Sequence, residues 1–243
     1  QSFAVPSDCY WACSMARAWE RARNTDAHFL LWLNDDVFLK KEALSEMIHA
    51  WSQWAKPSLV SASLCDPVTG VRSYGIARRV SRIWGLRFDD LYPNGRTIAG
   101  NLANGNALLI PRSAYEALGG FPSGFNHNLA DIDYTLRASK AGFDIISPGV
   151  FLGECDENPA SADWKTAEVL GLRERWRLLL DPTGLQPRYW IPFAIRNGGL
   201  LGFLYALQPY VKAAFLSSRD LVQGWFALVK AHGENDSSHL PRL

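Results

Sequence analysis

The run His28-Phe29-Leu30-Leu31-Trp32-Leu33 stops abruptly at Asn34-Asp35-Asp36, and no other stretch constrains the fold as much. A short, almost continuous apolar segment of this kind reads as a strand buried on both faces, as in a parallel sheet. Carboxylates directly after such a strand lie at its C-terminal edge, where open α/β sheets take their ligands. Two adjacent acids repel one another unless a cation or a charged ligand offsets them. A hard divalent ion that keeps some of its waters and also grips phosphate suits that position. Asp and Asn equally favour Asx turns and helix caps, so the acidic pair alone leaves both readings open.

The flanking pattern places this strand in an α/β frame. Ser7 or Asp8 is suited to cap a helix over residues 9–23, and residues 40–54 carry Leu44, Met47, Ile48, Trp51 and Trp54 on one helical face. Residues 59–65 read as the next strand, closed by the turn Asp66-Pro67-Val68-Thr69-Gly70. Helices alternating with buried strands predict a parallel sheet. From 71 to 103 the pattern breaks into short segments with Gly, Asn and Arg, expected as small strands and loops over the ligand edge. Asn104-Gly105-Asn106 leads into an apolar strand and a short helix ending at Gly119-Gly120. A polar loop, 121–130, precedes a helix over 131–141 that Gly142 stops, and residues 143–148 form a last strand.

With 243 residues, 48% hydrophobic, the chain is long enough for one domain with a real core and an appendage. A net charge of +1 argues against a nucleic-acid binder, which normally shows a basic face. Cys9, Cys13, Cys65 and Cys155 are too scattered for a disulfide scaffold. Cys9 and Cys13 sit four apart on the predicted helix, but no second Cys or His pair completes a zinc site. Reduced cysteines and a cytoplasmic setting are the simpler expectation.

No signal peptide opens the chain, and no run of about 18 apolar residues suggests a membrane span. The core is expected over 1–160, an amphipathic helical extension over 161–232, and a flexible polar tail over 233–243. Within the extension, residues 189–229 are apolar almost all round yet interrupted by Gly-Gly and Pro209. They suit a helix lying on a bilayer surface, with Arg188, Arg196, Lys212 and Arg219 near lipid phosphates, or an ordinary buried helical hairpin.

A second acidic cluster, Asp131-Ile132-Asp133, falls where the polar loop meets a helix. Asp133 and Arg137 are spaced i, i+4 and suited to pair on that helix. At the cap or first turn, Asp131 has an ionised form favoured by the helix dipole. A carboxylate there serves either as a cap or, within reach of a hydroxyl, as a proton acceptor.

Taken in order, a buried strand ending in Asn-Asp-Asp, an Asn-Gly-Asn-led strand and D-x-D-Y-x-L-R-A-x-x-A-G-F resemble the family 2 glycosyltransferases of GT-A fold. Residues 33–39, LNDDVFL, look like that family's metal-binding (DXD) segment, and 130–143 like its acceptor-side segment. The resemblance spans about residues 7–155. It implies a GT-A-like (Rossmann-like) mixed α/β sheet flanked by helices, and a metal-assisted, inverting enzyme using a nucleotide-sugar donor. Asp36 would be the metal ligand for Mg²⁺ or Mn²⁺, Asn34 and Asp35 would lie near the ribose or diphosphate, and Asp131 would be the general base. Asn104 and Asn106 would line the sugar site, His127 the loop that closes over it, and Asp133 the substrate side of the acidic cluster.

The acceptor implied is a glycan or lipid-linked precursor of a cell-envelope polysaccharide, met at the inner face of the membrane by a hexosyl- or rhamnosyl-transferase. Ala130 replaces the usual acid before Asp131, and Glu154-Cys155-Asp156 stands where many relatives carry a His. Arg175-Trp176 resembles the Q-x-x-R-W signature of processive synthases, but Leu172 holds the Gln position, so single addition is expected. The family's opening strand and its nucleotide-binding acid have no counterpart before residue 9, as if the chain were truncated at its N-terminus.

Two rivals remain from the residues. A metal-dependent phosphodiester hydrolase or nucleotidyltransferase also sets acids at strand ends, but needs carboxylates arranged for two ions. A degenerate, non-catalytic sugar-binding module would bind glycan without nucleotide.

Overall fold

The computed structural model describes residues 4–6, 9–81, 86–122, 124–125, 127, 129–156 and 172–215. The chain forms two compact units, Gln1–Asn158 and Pro159–Leu243. The expected tail, Arg219 and the start of the helical extension lie outside the described residues.

The first unit is a mixed α/β structure. It opens with α1 (Trp11–Ala22), β1 (Phe29–Leu33), β2 (Phe38–Leu39), α2 (Ala43–Gln53), β3 (Ser58–Ser61) and β4 (Ser63–Cys65). Short strands follow: β5 (Arg72–Tyr74), β6 (Ile76–Arg79), β7 (Phe88–Asp90), β8 (Ile98–Gly100) and β9 (Leu102–Ala103). It closes with β10 (Ala107–Pro111), α3 (Arg112–Leu118), α4 (Ala130–Lys140), β11 (Asp144–Ser147) and β12 (Phe151–Glu154). Three sheets result, with strand orders β1-β10-β3-β11-β8, β2-β12-β4-β5 and β7-β6-β9.

The sheets are mixed, and the expectation that the strand at 28–34 pairs in parallel is corrected. β1 lies at the end of the five-stranded order and pairs antiparallel with β10, Trp32 opposite Leu108. The parallel pairs are β11 with β3 and β12 with β4. As an end strand β1 is covered only in part, with Trp32 buried, Phe29 to Leu31 half-buried and Leu33 exposed, which corrects the expectation of a strand buried on both faces. Leu30 and Trp32 join the cluster of Trp19, Tyr115, Tyr134 and Ile145, while Phe29 and Leu31 join Met47, Trp51 and Trp54 on the α2 side. Trp32 is the hub: its ring centroid lies 4.9 Å from Tyr134, 5.1 Å from Phe121, 6.0 Å from Trp19 and 6.2 Å from Trp11. Edge-on and tilted pairs of this kind each add about 0.5–1.5 kcal/mol beyond burial.

Two further differences concern boundaries. The apolar run 59–65 divides at Ala62, so β3 serves the five-stranded sheet and β4 the four-stranded one. The predicted helix over 9–23 starts at Trp11, because Tyr10 is extended (φ −72°, ψ −174°). With Cys9 outside the helix, its Cα comes within 5.2 Å of that of Cys13 and the two form a disulfide. The expectation of uniformly reduced cysteines is thereby corrected: only Cys65 and Cys155 are free thiols.

The second unit contains α5 (Leu172–Leu180), α6 (Pro187–Asn197), a 3-10 turn at Gly199–Leu201 and α7 (Gly202–Phe215). On α7 the small residues Gly202, Ala206, Pro209 and Ala213 are buried, whereas Phe203, Leu204, Leu207, Val211 and Phe215 are exposed. Close backbone approach explains the small residues: a Cβ on Gly202 would come 2.8 Å from the Ile195 carbonyl oxygen. Among the described residues no helix is long and apolar enough to cross a membrane.

Candidate functional site

Asn34 ends β1 on a half-buried position, and Asp35 and Asp36 follow on an exposed turn. The Asn34 backbone N–H donates to the Asn106 carbonyl at 3.0 Å, which ties the end of β1 to the turn before β10. The Asn34 side-chain oxygen accepts a 2.7 Å hydrogen bond from the Trp11 indole N–H. Next to this, Asn106 is buried and its side-chain amide faces the Cys155 thiol at 3.7 Å. That thiol is pushed up to about 11, first by burial and then by the charge of the neighbouring Asp36 carboxylate. Asp36 is thus near Cys155, whose sulfur the Asn106 amide faces.

Asp131 reaches the same turn through the Gly105 N–H. It sits in the first turn of α4, entered through Leu129 at φ 73°, the one non-glycine residue of positive φ among the described residues. A bulky side chain in this left-handed region is strained. One carboxylate oxygen accepts from the Gly105 N–H and the other from the Ile132 N–H, both at 2.8 Å. Burial raises the Asp131 pKa above the ordinary carboxylate value, against the lowering by these N–H donors and by His127. The helix N-terminus favours the ionised form through the Ile132 N–H, and desolvation acts against it. An ionised carboxylate has room for further donors beyond these two.

Gly105 joins the two sides. A Cβ there would meet the Trp11 ring at 2.8 Å and the Asp131 Cβ at 3.1 Å, so only glycine lets the three groups pack. His127 stands beside Asp131 and packs against the Tyr10 ring edge, centroids 5.9 Å apart. Asn104 is half-buried, with its backbone N–H donating to the Gly75 carbonyl.

Asp133 stands apart from this grouping. Its side chain is 2% exposed and pairs with Arg137 at 3.3 Å, as the i, i+4 spacing suggested. Arg137 in turn donates to the Leu118 and Gly120 carbonyls and lies over the Tyr134 ring. This carboxylate is engaged inside the helix packing, not at the 104–106 turn. Arg175 is likewise buried, within α5 of the second unit.

Trp11, Tyr10, Gly105 and Cys155 were not legible as site residues. Trp11 reads as one more apolar position on an amphipathic helix; only the Cys-x-x-x-Cys frame around it hints that this turn is held in place.

Among the described residues no three His, Cys, Asp or Glu side chains converge as a metal cage. Asp36 on its open turn fits a hard cation shared with a diphosphate and still carrying waters, which needs only one or two carboxylates. It does not fit an ion held by protein ligands alone.

No family model matches this chain. No curated protein matches it either. Among solved structures, the mannosyltransferase PcManGT from Pyrobaculum calidifontis, in complex with GDP-Man and Mn²⁺, matches with a TM-score of 0.38 and 14% identity. The match covers 89% of this chain, which spans 59% of that one.

Proposed function

We propose that this chain is a glycosyltransferase of family 2 type, moving a hexosyl or rhamnosyl group from a nucleoside-diphosphate donor to a hydroxyl of a glycan or lipid-linked acceptor. The observation that carries the reading is that two distant acidic segments meet at Asn104-Gly105-Asn106: Asp131 accepts from the Gly105 N–H, and Asn34, which leads into Asp35 and Asp36, donates its N–H to the Asn106 carbonyl. Asn34 and Asp35 then face the donor's ribose and diphosphate, Asn104 and Asn106 the sugar, and His127 the entrance. Asp133 contributes by fixing the helix that carries Asp131.

In this mechanism Asp131 accepts the proton of the acceptor hydroxyl as that oxygen attacks the anomeric carbon. The bond from that carbon to the diphosphate oxygen breaks on the opposite face, and the nucleoside diphosphate leaves with the electron pair. One displacement inverts the anomeric configuration. A divalent cation at Asp36, Mg²⁺ or Mn²⁺, would offset the charge that develops on the diphosphate. A base whose pKa is raised toward working pH suits this role better than an ordinary surface carboxylate.

The second unit supports a peripheral position on the cytoplasmic leaflet. α7 turns its large apolar side chains outward and its small ones inward, with Arg188, Arg196 and Lys212 close in sequence. Such a surface suits the headgroup boundary, where a lipid-linked acceptor is met.

A panel of nucleotide sugars with Mn²⁺ and lipid-linked acceptors, read by mass spectrometry, tests the proposal, with product anomers assigned by NMR. Acceptor-dependent, inverted product that disappears in Asp131→Asn is the expected result. Release of free nucleotide without acceptor would favour the hydrolase reading, and glycan binding without turnover the sugar-binding module.

A further inference from the structure

The Cys9–Cys13 bridge encloses the residues that hold both sides of the candidate cleft. Tyr10 meets His127 edge-on. Trp11 donates its indole N–H to Asn34 at 2.7 Å, packs on Trp32 and Phe121, and lies where a Cβ on Gly105 would fall. The first contact belongs to the Asp131 side and the second to the Asn34 side. Both come from one short turn whose backbone is extended at Tyr10 before α1 begins. The bridge adds a covalent tie to the one the backbone makes there, where the Ser14 N–H donates to the Tyr10 carbonyl at 2.9 Å. Ser14 adds a hydrogen bond from its hydroxyl to the Cys9 carbonyl at 3.2 Å, a weaker tie.

We propose that Trp11 is a positioning residue of the cleft, and that the Cys9–Cys13 disulfide is a redox-sensitive clasp that holds it, with Tyr10, against Asn34 and His127. What the clasp does for turnover rests on the glycosyltransferase reading; its existence does not.

Both cysteines are partly exposed, so a reductant reaches them. A dithiol reductant supplies two electrons and two protons: its thiolate attacks one bridge sulfur and expels the other cysteine as thiolate. Its second thiolate then attacks the reductant sulfur of the mixed disulfide and expels the first cysteine, and both leaving thiolates take up a proton. The products are the Cys9 and Cys13 thiols and the oxidised reductant. In cytosolic proteins, disulfides that do form are usually transient, catalytic or redox-sensing. A clasp of this kind reconciles a bridged pair with work at a cytoplasmic membrane face. Reduction frees Tyr10 to rejoin or leave the helix, and the Trp11–Asn34 hydrogen bond loosens with it.

Thiol titration of the denatured, unreduced protein is expected to find two thiols, Cys65 and Cys155, rising to four after dithiothreitol. Four thiols before reduction would overturn the clasp. In the ¹H–¹⁵N spectrum the Trp11 indole signal, assigned with Trp11→Phe, is expected to shift on reduction and return on reoxidation. The Trp54 indole signal, from the cluster on the α2 side where it donates to Asp144, should stay in place. An unmoved Trp11 signal overturns the proposal whether or not any donor is turned over. A Cys9→Ser/Cys13→Ser variant should show the reduced spectrum without reductant, and wild-type protein under dithiothreitol serves if that variant fails to fold.

In the transfer assay, reduction and Trp11→Phe are each expected to raise the donor KM several-fold with little change in kcat. Applied together they should give no more than either alone. Additive effects, or an equal fall in kcat, would show that Trp11 does not act through the clasp. Failure of every donor sinks the transferase reading and leaves the spectroscopic result to decide the clasp.

Discussion

Asp131 is held in a setting that favours its neutral form, while two N–H groups and His127 favour its charged form. Burial wins, and two consequences follow at the residue scale. First, the proposed role of general base contributes about 10²–10⁴-fold to rate, so in that role Asp131→Asn should lose at least about 100-fold in kcat. Nucleotide affinity measured by calorimetry should stay nearly unchanged, because the donor contacts proposed lie at Asn34, Asp35 and Asp36. Second, the folded pKa lies above the unfolded one, so ionisation in the fold takes stability away. The contribution is fully present below the ordinary carboxylate range and is lost as pH rises through the raised value. The melting temperature of wild type minus that of Asp131→Asn should therefore grow as pH falls from neutral toward that range. A difference that stays flat with pH would mean Asp131 titrates as a surface group. The acid itself was legible because a capping position follows from local sequence. Its desolvation was not, since the groups that bury it come from residues 104–106 and 11, far away in the chain.

At the scale of elements, the end of β1, the 104–106 turn and the start of α4 form a junction that tolerates no side chain at its centre. Gly105→Ala would push a Cβ to 2.8 Å from the Trp11 ring and 3.1 Å from the Asp131 Cβ. The ring is wedged against Trp32 and Phe121 and has little freedom to give way. Overpacking of this kind costs about 1–3 kcal/mol. Gly105→Ala should accordingly lower the melting temperature and weaken transfer, while Gly70→Ala tests the other glycine requirement: its φ of +67° is strained for alanine, but nothing lies near its Cβ. Thermal unfolding of the pair, with transfer rates, separates crowding at the junction from backbone strain on a remote turn. Most elements around this junction were readable from periodicity and turn chemistry. Asp66 accepts from the Val68 and Thr69 N–H groups as an Asx turn should, and Gly142 ends α4 at φ 92°. Pairing direction was not readable, because an apolar run looks the same in either orientation. β2 and β12 were missed for a related reason: they are short, and partners from across the chain define them.

Across the whole molecule, the first unit gathers large apolar side chains into two buried clusters, with Phe38 and Val68 left outside, and α7 of the second leaves a row of them exposed. Phe203 is 64% exposed, Leu204 56% and Phe215 53%, while Ala206 and Ala213 are essentially buried. A helix packing onto its neighbours for water solubility alone would be expected in the opposite orientation, with the large residues inward. The sequence showed the apolar composition of this segment but not which face was free, because small residues as the packing face emerge only from the Gly198–Gly202 close approach. If this row rests on a bilayer, each large side chain gains about 1.5–3 kcal/mol on leaving water. Basic residues near an anionic leaflet add about 1 kcal/mol each. Phe203→Asp with Leu207→Asp removes two of the apolar contributions, at least about 3 kcal/mol, or over about 100-fold in partitioning. Sedimentation with vesicles containing phosphatidylglycerol should show binding by wild type, weakened by salt, and none by the double variant. Circular dichroism of the variant should be unchanged, since both positions already face outward. Equal sedimentation of the two proteins would mean that this row meets something other than lipid, and the membrane part of the proposal would have to be given up while the Asp36–Asp131 cleft stood unaffected.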